Sequence, residues 1–592
     1  MKILEQELAQ TPLIQRRLRG VHSLLWACMF TNILGQGPVH QWARTGSNPG
    51  TNEEVVDLDV DPFGNVLVLG HFGSYQTPSM VLGTSGGSVT LTGLGTGISP
   101  GRDLFIAKYD ASGNLVFAFP LGNQDFMTGR TILADPTGGF YVAGRFQDTL
   151  DLDPGSGTAL FICPPPIPPL TESSSEFLAR YDAMGNYVMA FILQGAGIHS
   201  MALAVDGNIW VAGSCSADQD LDSGPGTWLC GTLFLAKYDP EGHLLWAADG
   251  PASSTMIRSV ALDAQGTIHF AGSLSGTVDL DTGPEETILA GGQDLFFGKM
   301  SPTGQLIYAK LLNGSDAIDE QMSMVLDYDD NVYISGNHTG SLDFDPGPGT
   351  EWRFADEFTQ GFLAKYDNNG NLVFVHEPGD DCDYDGASYV NGVQVVNGTR
   401  AVTAGAFFSE CDFDRGPAIV EHNYMDDLNF ITIHDLDGGL RDAGFFSGPD
   451  GHAVINALVV SPSGDVCVAG SFIFSTDLDA SAAGTEIHTS TPYNFRDAFV
   501  MRCSFNVGVG LAENTLEEGP VLFPNPTDGD ATLRAPYALG TVSIHDLQGR
   551  LLEEHHVPGN ELSIGASDWA NGAYLVRVRN EHSSVTHRLI VD

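Results

Sequence analysis

The chain has 592 residues, with 74 Asp and Glu against 26 Lys and Arg, which gives a formal net charge of -48. So acidic a surface repels nucleic acid and anionic membrane, favours a soluble monomer and raises the local concentration of divalent cations. Disorder is excluded by 42% hydrophobic and 17% charged residues, 71 glycines and 31 prolines require many turns, and the length asks for two globular units.

Arg16, Arg17 and Arg19 precede the apolar run from Val21 to Leu34, and the small residue Gly35 follows, so residues 1–35 read as a signal peptide. Cleavage is expected near Gly35. The long stretch ahead of the arginines leaves open a later true start or an uncleaved anchor. No other run reaches the ~20 apolar residues of a membrane span. Next comes Pro38 to Arg44, PVHQWAR, a strand-like segment with no hairpin partner beside it.

From there the chain is a repeat. A strand ending in a small residue and glycine recurs as VLVLG, YVAG, WVAG, HFAG, YISG, VTAG and CVAG, ending at Gly70, Gly144, Gly213, Gly272, Gly336, Gly405 and Gly470. In step with it runs a second strand: DLFIAKYD from Asp103, EFLARYD from Glu176, LFLAKYD from Leu233, DLFFGKM from Asp294, GFLAKYD from Gly361, NFITIHD from Asn429 and DAFVMRC from Asp497. Turn residues divide each unit into four short antiparallel strands, a sheet that cannot bury both faces without neighbours. Six units end in a strand such as HLLWA around Trp246, whereas the unit closing at DAFVMRC lacks one. PVHQWAR matches the missing strand, so the ring is expected to close by pairing the segment around Trp42 with that around Val500, which removes both free edges. The alternating hairpins resemble the bacterial seven-bladed β-propeller repeat family, with its KYDxxGNxVWA-like and DxxGNxYVxG-like turns, over residues 38 to 505. That resemblance implies a scaffold and not an activity.

Seven residues after the strand-ending glycine stands Asp-Leu/Phe-Asp, at Asp151/Asp153, Asp220/Asp222, Asp279/Asp281, Asp343/Asp345, Asp412/Asp414 and Asp477/Asp479, mostly followed by a Gly-Pro-like turn. In extended backbone the two carboxylates point the same way and form a candidate calcium site, provided that carbonyls, water or a neighbour complete the six to eight oxygens. The alternative is local: carboxylates that accept backbone N–H groups of the following turn. The first unit has Thr77-Pro78-Ser79 instead, so the pair is dispensable there.

Other motifs are weaker. Asp381 to Gly386 imitates half an EF-hand loop, but Gly392 stands where the closing glutamate belongs. Gly83 to Gly87 satisfies G-x-S-x-G without the strand-to-helix context of a nucleophile elbow. Pro164 to Pro169 reads as a stiff loop, and the side chains of His555 and His556 should face opposite ways on a strand. Of eight cysteines Cys28 would leave with the leader; Cys215 with Cys230, Cys382 with Cys411, and Cys467 with Cys503 can pair, or remain small buried thiols.

After a polar linker, residues 506–519, the pattern changes to LFPNPTDG from Leu522, VSIHDLQGRLL from Val542, WANGAYLVRVRN from Trp569 and a terminal HRLIVD. These short strands fit a small immunoglobulin-like β-sandwich over 520–592. Together they resemble the C-terminal sorting domain of type IX secretion cargo, which implies export across the outer membrane by that machinery.

The expectation is thus an all-β chain: signal peptide 1–35, seven-bladed propeller 36–505, linker 506–519 and sorting domain 520–592. It would be a monomer delivered to the cell surface or medium, a binding or structural module for a surface or glycan ligand. The other class is a propeller hydrolase or lyase acting on polysaccharide, for which acid–base carboxylates in the central channel would be the mark.

Overall fold

The computed structural model describes residues 38–505 and 521–591 apart from connecting segments, of which the longest are 95–101, 165–173, 315–321, 379–386 and 413–420. The leader, most of the Pro164 to Pro169 loop, the half EF-hand run with Cys382, Ser85, Asp414 and the linker lie outside the described residues. Two compact units emerge, Met1–Val507 and Gly508–Asp592.

In the first unit four-stranded antiparallel meanders repeat. The first comprises Glu54–Val60, Val66–Gly73, Arg102–Tyr109 and Leu115–Leu121, hydrogen-bonded in chain order, and like sheets begin at Thr128, Ala196, Met256, Ser323 and Ala387. A further sheet runs His452–Val460, Val466–Ile473, Asp497–Phe505 and then Pro38–Ser47, with Trp42 opposite Arg502 and Arg44 opposite Val500. First strands of consecutive sheets touch one another, and His452–Val460 touches Glu54–Val60 in turn. This is a β-propeller, with the N-terminal strand paired where the sequence placed it.

The repeated motifs have local causes. In D-x-x-G-N, Asp61 Oδ1 accepts the N–H groups of Phe63 and Asn65, both at 2.9 Å, and Oδ2 accepts Asn65 Nδ2 at 2.7 Å, around Gly64 at φ +83°. Asp110, Asp182, Asp327 and Asp367 repeat the pattern. The strand-ending glycine faces a β-bulge on the first strand. A Cβ on Gly213 would stand 1.9 Å from Gly197 O, on Gly405 1.8 Å from Tyr389 O, and on Gly470 1.8 Å from Val454 O. In each case the opposite strand carries one extra residue at that point.

Apolar layers fill the spaces between sheets, and one unites Val68, Phe105 and Tyr109 of the first sheet with Trp42, Cys467 and Val500 of the last. Cys467 and Cys503 do not pair. Cys467 stands opposite Arg502, and the two sulfurs enter different layers on opposite faces of the sheet. The sequence reading took strand adjacency for sulfur adjacency and overlooked the one-residue offset. Cys215 and Cys230 form a disulfide, while the side chain of Cys411 lies outside the described residues.

One element was not foreseen. In the first unit of the repeat the loop without the Asp pair forms a hairpin, Ser79–Thr84 with Gly87–Thr92, and its first strand adds to the outer edge of Pro38–Ser47. Of the literal G-x-S-x-G, Gly83 and Thr84 end the first strand of that hairpin and Gly87 begins the second. The second unit has two antiparallel sheets, of three and four strands, around a core including Leu533, Val542, Ile564, Val576 and Leu589.

Candidate functional sites: the acidic loops and the C-terminal unit

Each described Asp pair occupies the same loop. Asp151 Oδ1 accepts the N–H groups of Asp153 at 3.1 Å and Ala159 at 2.8 Å; Asp220 serves Asp222 and Trp228, Asp279 serves Asp281 and Thr287, Asp343 serves Asp345 and Glu351, and Asp477 serves Asp479 and Glu486. The second aspartate caps the next turn: Asp153, Asp222 and Asp345 take the N–H of Gly155, Gly224 and Gly347, and Asp479 that of Ser481. Asp281 stands at the same position of its loop, and Asp412 sits in a short strand paired with Glu421. Glycines around the second carboxylate leave it room, since a Cβ on Gly157 would lie 2.1 Å from Asp153 Oδ2.

The residue between the two carboxylates is a plug. Leu152, Leu221, Phe344 and Leu478 are fully buried and Leu280 nearly so. Its carbonyl accepts the hydroxyl of the K-Y-D tyrosine: Tyr181 to Leu152 O at 2.9 Å, Tyr238 to Leu221 O at 2.9 Å and Tyr366 to Phe344 O at 3.1 Å. Met300 and Cys503, which replace that tyrosine in two sheets, have no hydroxyl to give. The motif therefore pins the loop back along its sheet. Among the described residues no three His, Cys, Asp or Glu side chains converge as a metal ligand set.

Sequence reading missed the role of the K-Y-D cation. Lys108 Nζ, almost fully buried, lies 2.8 Å from Asp61 Oδ2 and donates to Gly138 O at 2.8 Å and Ala183 O at 3.3 Å in the next sheet. Lys365 pairs with Asp327 and reaches Leu436 O, while Arg502 pairs with Asp465 and reaches Gly64 O across the junction of last and first sheets. In the sixth sheet Ile433 replaces the cation and Val396 the aspartate, so both partners are absent together. That paired loss was the signal available in the sequence.

In the C-terminal unit the quoted motifs meet. The ring of Trp569 lies 4.7 Å from that of Tyr574, and Thr527, within P-N-P-T-D-G, bridges to Val591 on the terminal strand. Thr527 Oγ1 donates to Asp530 O at 3.1 Å, which fastens the turn. His555 bonds Glu553 two residues back on its own face of the strand.

Residues 521–592 match the family model of the secretion system C-terminal sorting domain. The sorting domain makes the chain an exported protein of the cell surface or extracellular space, with secretion machinery as a partner. No curated protein matches the chain at a significant level. Similar solved structures include the Dos1 propeller, at 11% identity over 79% of this chain and 95% of that one, with a TM-score of 0.36. They also include PorZ, an essential bacterial surface component of the type-IX secretion system of Porphyromonas gingivalis, at 11% identity over 91% and 81%, with a TM-score of 0.25. Scores this low carry no argument, and the fold rests on the strand pairing described above.

Proposed function

We propose that this chain is a surface-delivered binding or structural module: a leader over residues 1–35, a seven-bladed β-propeller over 36–505 closed by Pro38–Ser47, a linker over 506–519 and an immunoglobulin-like sorting sandwich over 520–592 that engages the type IX machinery. The observation that carries the reading is the sorting-domain match over 521–592. It is supported by a separate C-terminal unit with its own core, whose strands among the described residues pair only with one another. Within this reading the Asp pairs are loop braces, a role supported by Asp151, Asp220, Asp279, Asp343 and Asp477, whose Oδ1 atoms already accept N–H groups.

Deleting Pro520 to Asp592 leaves the propeller folded in the periplasm, and fusing those residues to a signal-bearing reporter carries the reporter across the outer membrane of a host with the machinery. Normal surface delivery of the truncated chain refutes the proposal.

A further inference from the structure

The bulge opposite each strand-ending glycine leaves one first-strand residue outside the ladder. By register these are Val56, Arg130, His199, Arg258, Asn391 and Asn456. In the last two sheets the residue stitches neighbours together: Asn391 Nδ2 donates to Ile455 O at 2.7 Å, and Asn456 Nδ2 to Val55 O at 2.8 Å. Three consecutive sheets carry a basic residue at the same backbone position. Arg130 makes no such stitch; its hydrogen bond is a 3.4 Å contact with Glu176 Oε1, and its Nε has no acceptor. His199 Nε2 bonds Ser214 Oγ at 3.0 Å within its own sheet.

A second arginine joins them. Arg145 Nε lies 2.9 Å from the same Glu176 Oε1, and its Nη2 comes within 3.8 Å of where a Cβ on Gly197, two residues before His199, would stand. Two guanidinium groups thus share one fully buried carboxylate, which leaves a positive charge over, and Arg258 lies near enough to act electrostatically on His199. His199 is neutral at ordinary pH, its pKa pushed down to about 3 by burial and by Arg258, Arg130 and Arg145. Such a grouping of basic side chains over three consecutive sheets stands out in a chain with only 26 Lys and Arg residues. Arg130 and Arg145 keep 27% and 41% of their side chains exposed, so the charge is accessible from solvent.

We infer that Arg130, Arg145, His199 and Arg258 form an oxyanion-binding site on the first strands of the second to fourth sheets and the second strand of the second, Phe140–Phe146, which takes a carboxylate, sulfate or phosphate group of a small ligand. The inference rests on the binding-module reading above and names the chemistry of its site. Planar guanidinium donors suit bidentate contact with such groups, and the bulges re-aim the side chains without breaking the sheets.

The test is calorimetric titration of the purified full chain with sodium sulfate, inorganic phosphate and galacturonate at low salt. Binding of at least one probe, weakened by about tenfold or more in Arg130→Gln and by less in Arg130→Lys, which keeps the charge but not the planar fork, is the expected result. The ranking of the three probes tells a sugar carboxylate from an inorganic anion. Arg441→Gln, an exposed arginine paired with Asp435, is the control and binds as the parent does. Absence of binding by all three at about 10 mM, or equal binding by Arg130→Gln with an unchanged unfolding temperature, overturns the inference. If Arg130→Gln unfolds, Arg145→Gln is read in its place. These outcomes concern the propeller alone and leave the export reading to its own experiment.

Discussion

Replacing Lys108 by methionine removes a buried cation from between two sheets and leaves Asp61, which is fully buried, without its ion partner. Breaking a buried pair by truncating one partner costs about 3–5 kcal/mol. The low end applies, because Asp61 keeps the N–H groups of Phe63 and Asn65 and the Asn65 amide. Taking about 2.1 cal/mol/K per residue for the unfolding entropy, a unit of this size has an entropy near 1 kcal/mol/K, so 3 kcal/mol lowers its Tm by roughly 3 °C. Scanning calorimetry of the full chain reads this in the propeller transition. The shift should persist between 0.1 and 1 M salt, since a buried pair is poorly screened. The sixth sheet supplies the converse. Ile433→Lys there introduces a cation facing Val396 instead of an aspartate, and it should also destabilise. A Lys108→Met protein with unchanged Tm, or a shift that vanishes in high salt, refutes the staple argument.

Asp343→Asn keeps an oxygen for the N–H groups of Asp345 and Glu351 and should cost under ~1 kcal/mol, whereas Asp343→Ala loses both acceptors and should cost about 1–3 kcal/mol; equal damage from both, with a calcium-dependent Tm in the parent, would restore the metal reading. Glu53 is held up to about 8 by burial, partly opposed by its bond from Thr51, with Asp497 adding to the rise. The folded state therefore binds more protons than the unfolded between the ordinary carboxylate value and pH 8, so stability falls as pH rises through that window, and Glu53→Gln should flatten the decline in a pH series of urea melts. Reduction of Cys215–Cys230, which closes a separation of 15 residues, should lower stability by about 3 kcal/mol as followed by thermal melts with and without reductant. Asp330 holds φ +59° where sister turns have glycine, so Asp330→Gly should raise Tm slightly; a fall would show that the carboxyl earns its place there.

The repeating architecture was legible because its signals are local. Asp and Asn of D-x-x-G-N build a turn by themselves, and the glycine that ends each second strand marks where the facing strand bulges. The N-terminal strand was legible by subtraction, since PVHQWAR matched a strand that one unit lacked. What escaped depended on three-dimensional neighbours. Lys108 reads as surface charge in a K-Y-D run, yet its amine ends among carbonyls of the next sheet. Arg130, His199 and Arg258 sit at equivalent places, but only the register of each bulge shows it. The hairpin Ser79–Thr84 and Gly87–Thr92 was hidden because its partner, Pro38–Ser47, completes the sheet of the last unit and not that of the first.

That N-terminal strand also sets a schedule. The segment made first completes the sheet made last, and Arg502 reaches Gly64 O across 438 residues of chain. Closing a loop of that length costs about 5 kcal/mol in chain entropy before any contact rewards it. The propeller is therefore expected to assemble as an open arc with Asp497–Phe505 as a bare edge, and to lock in a late, slow step. Because the Ser79–Thr84 hairpin lies over the outer side of the closing strand, that strand is held from both flanks once seated. How slowly the ring reopens is set separately, by the pairing of Pro38–Ser47 with Asp497–Phe505 and with the hairpin that must break, so those contacts govern its lifetime once shut.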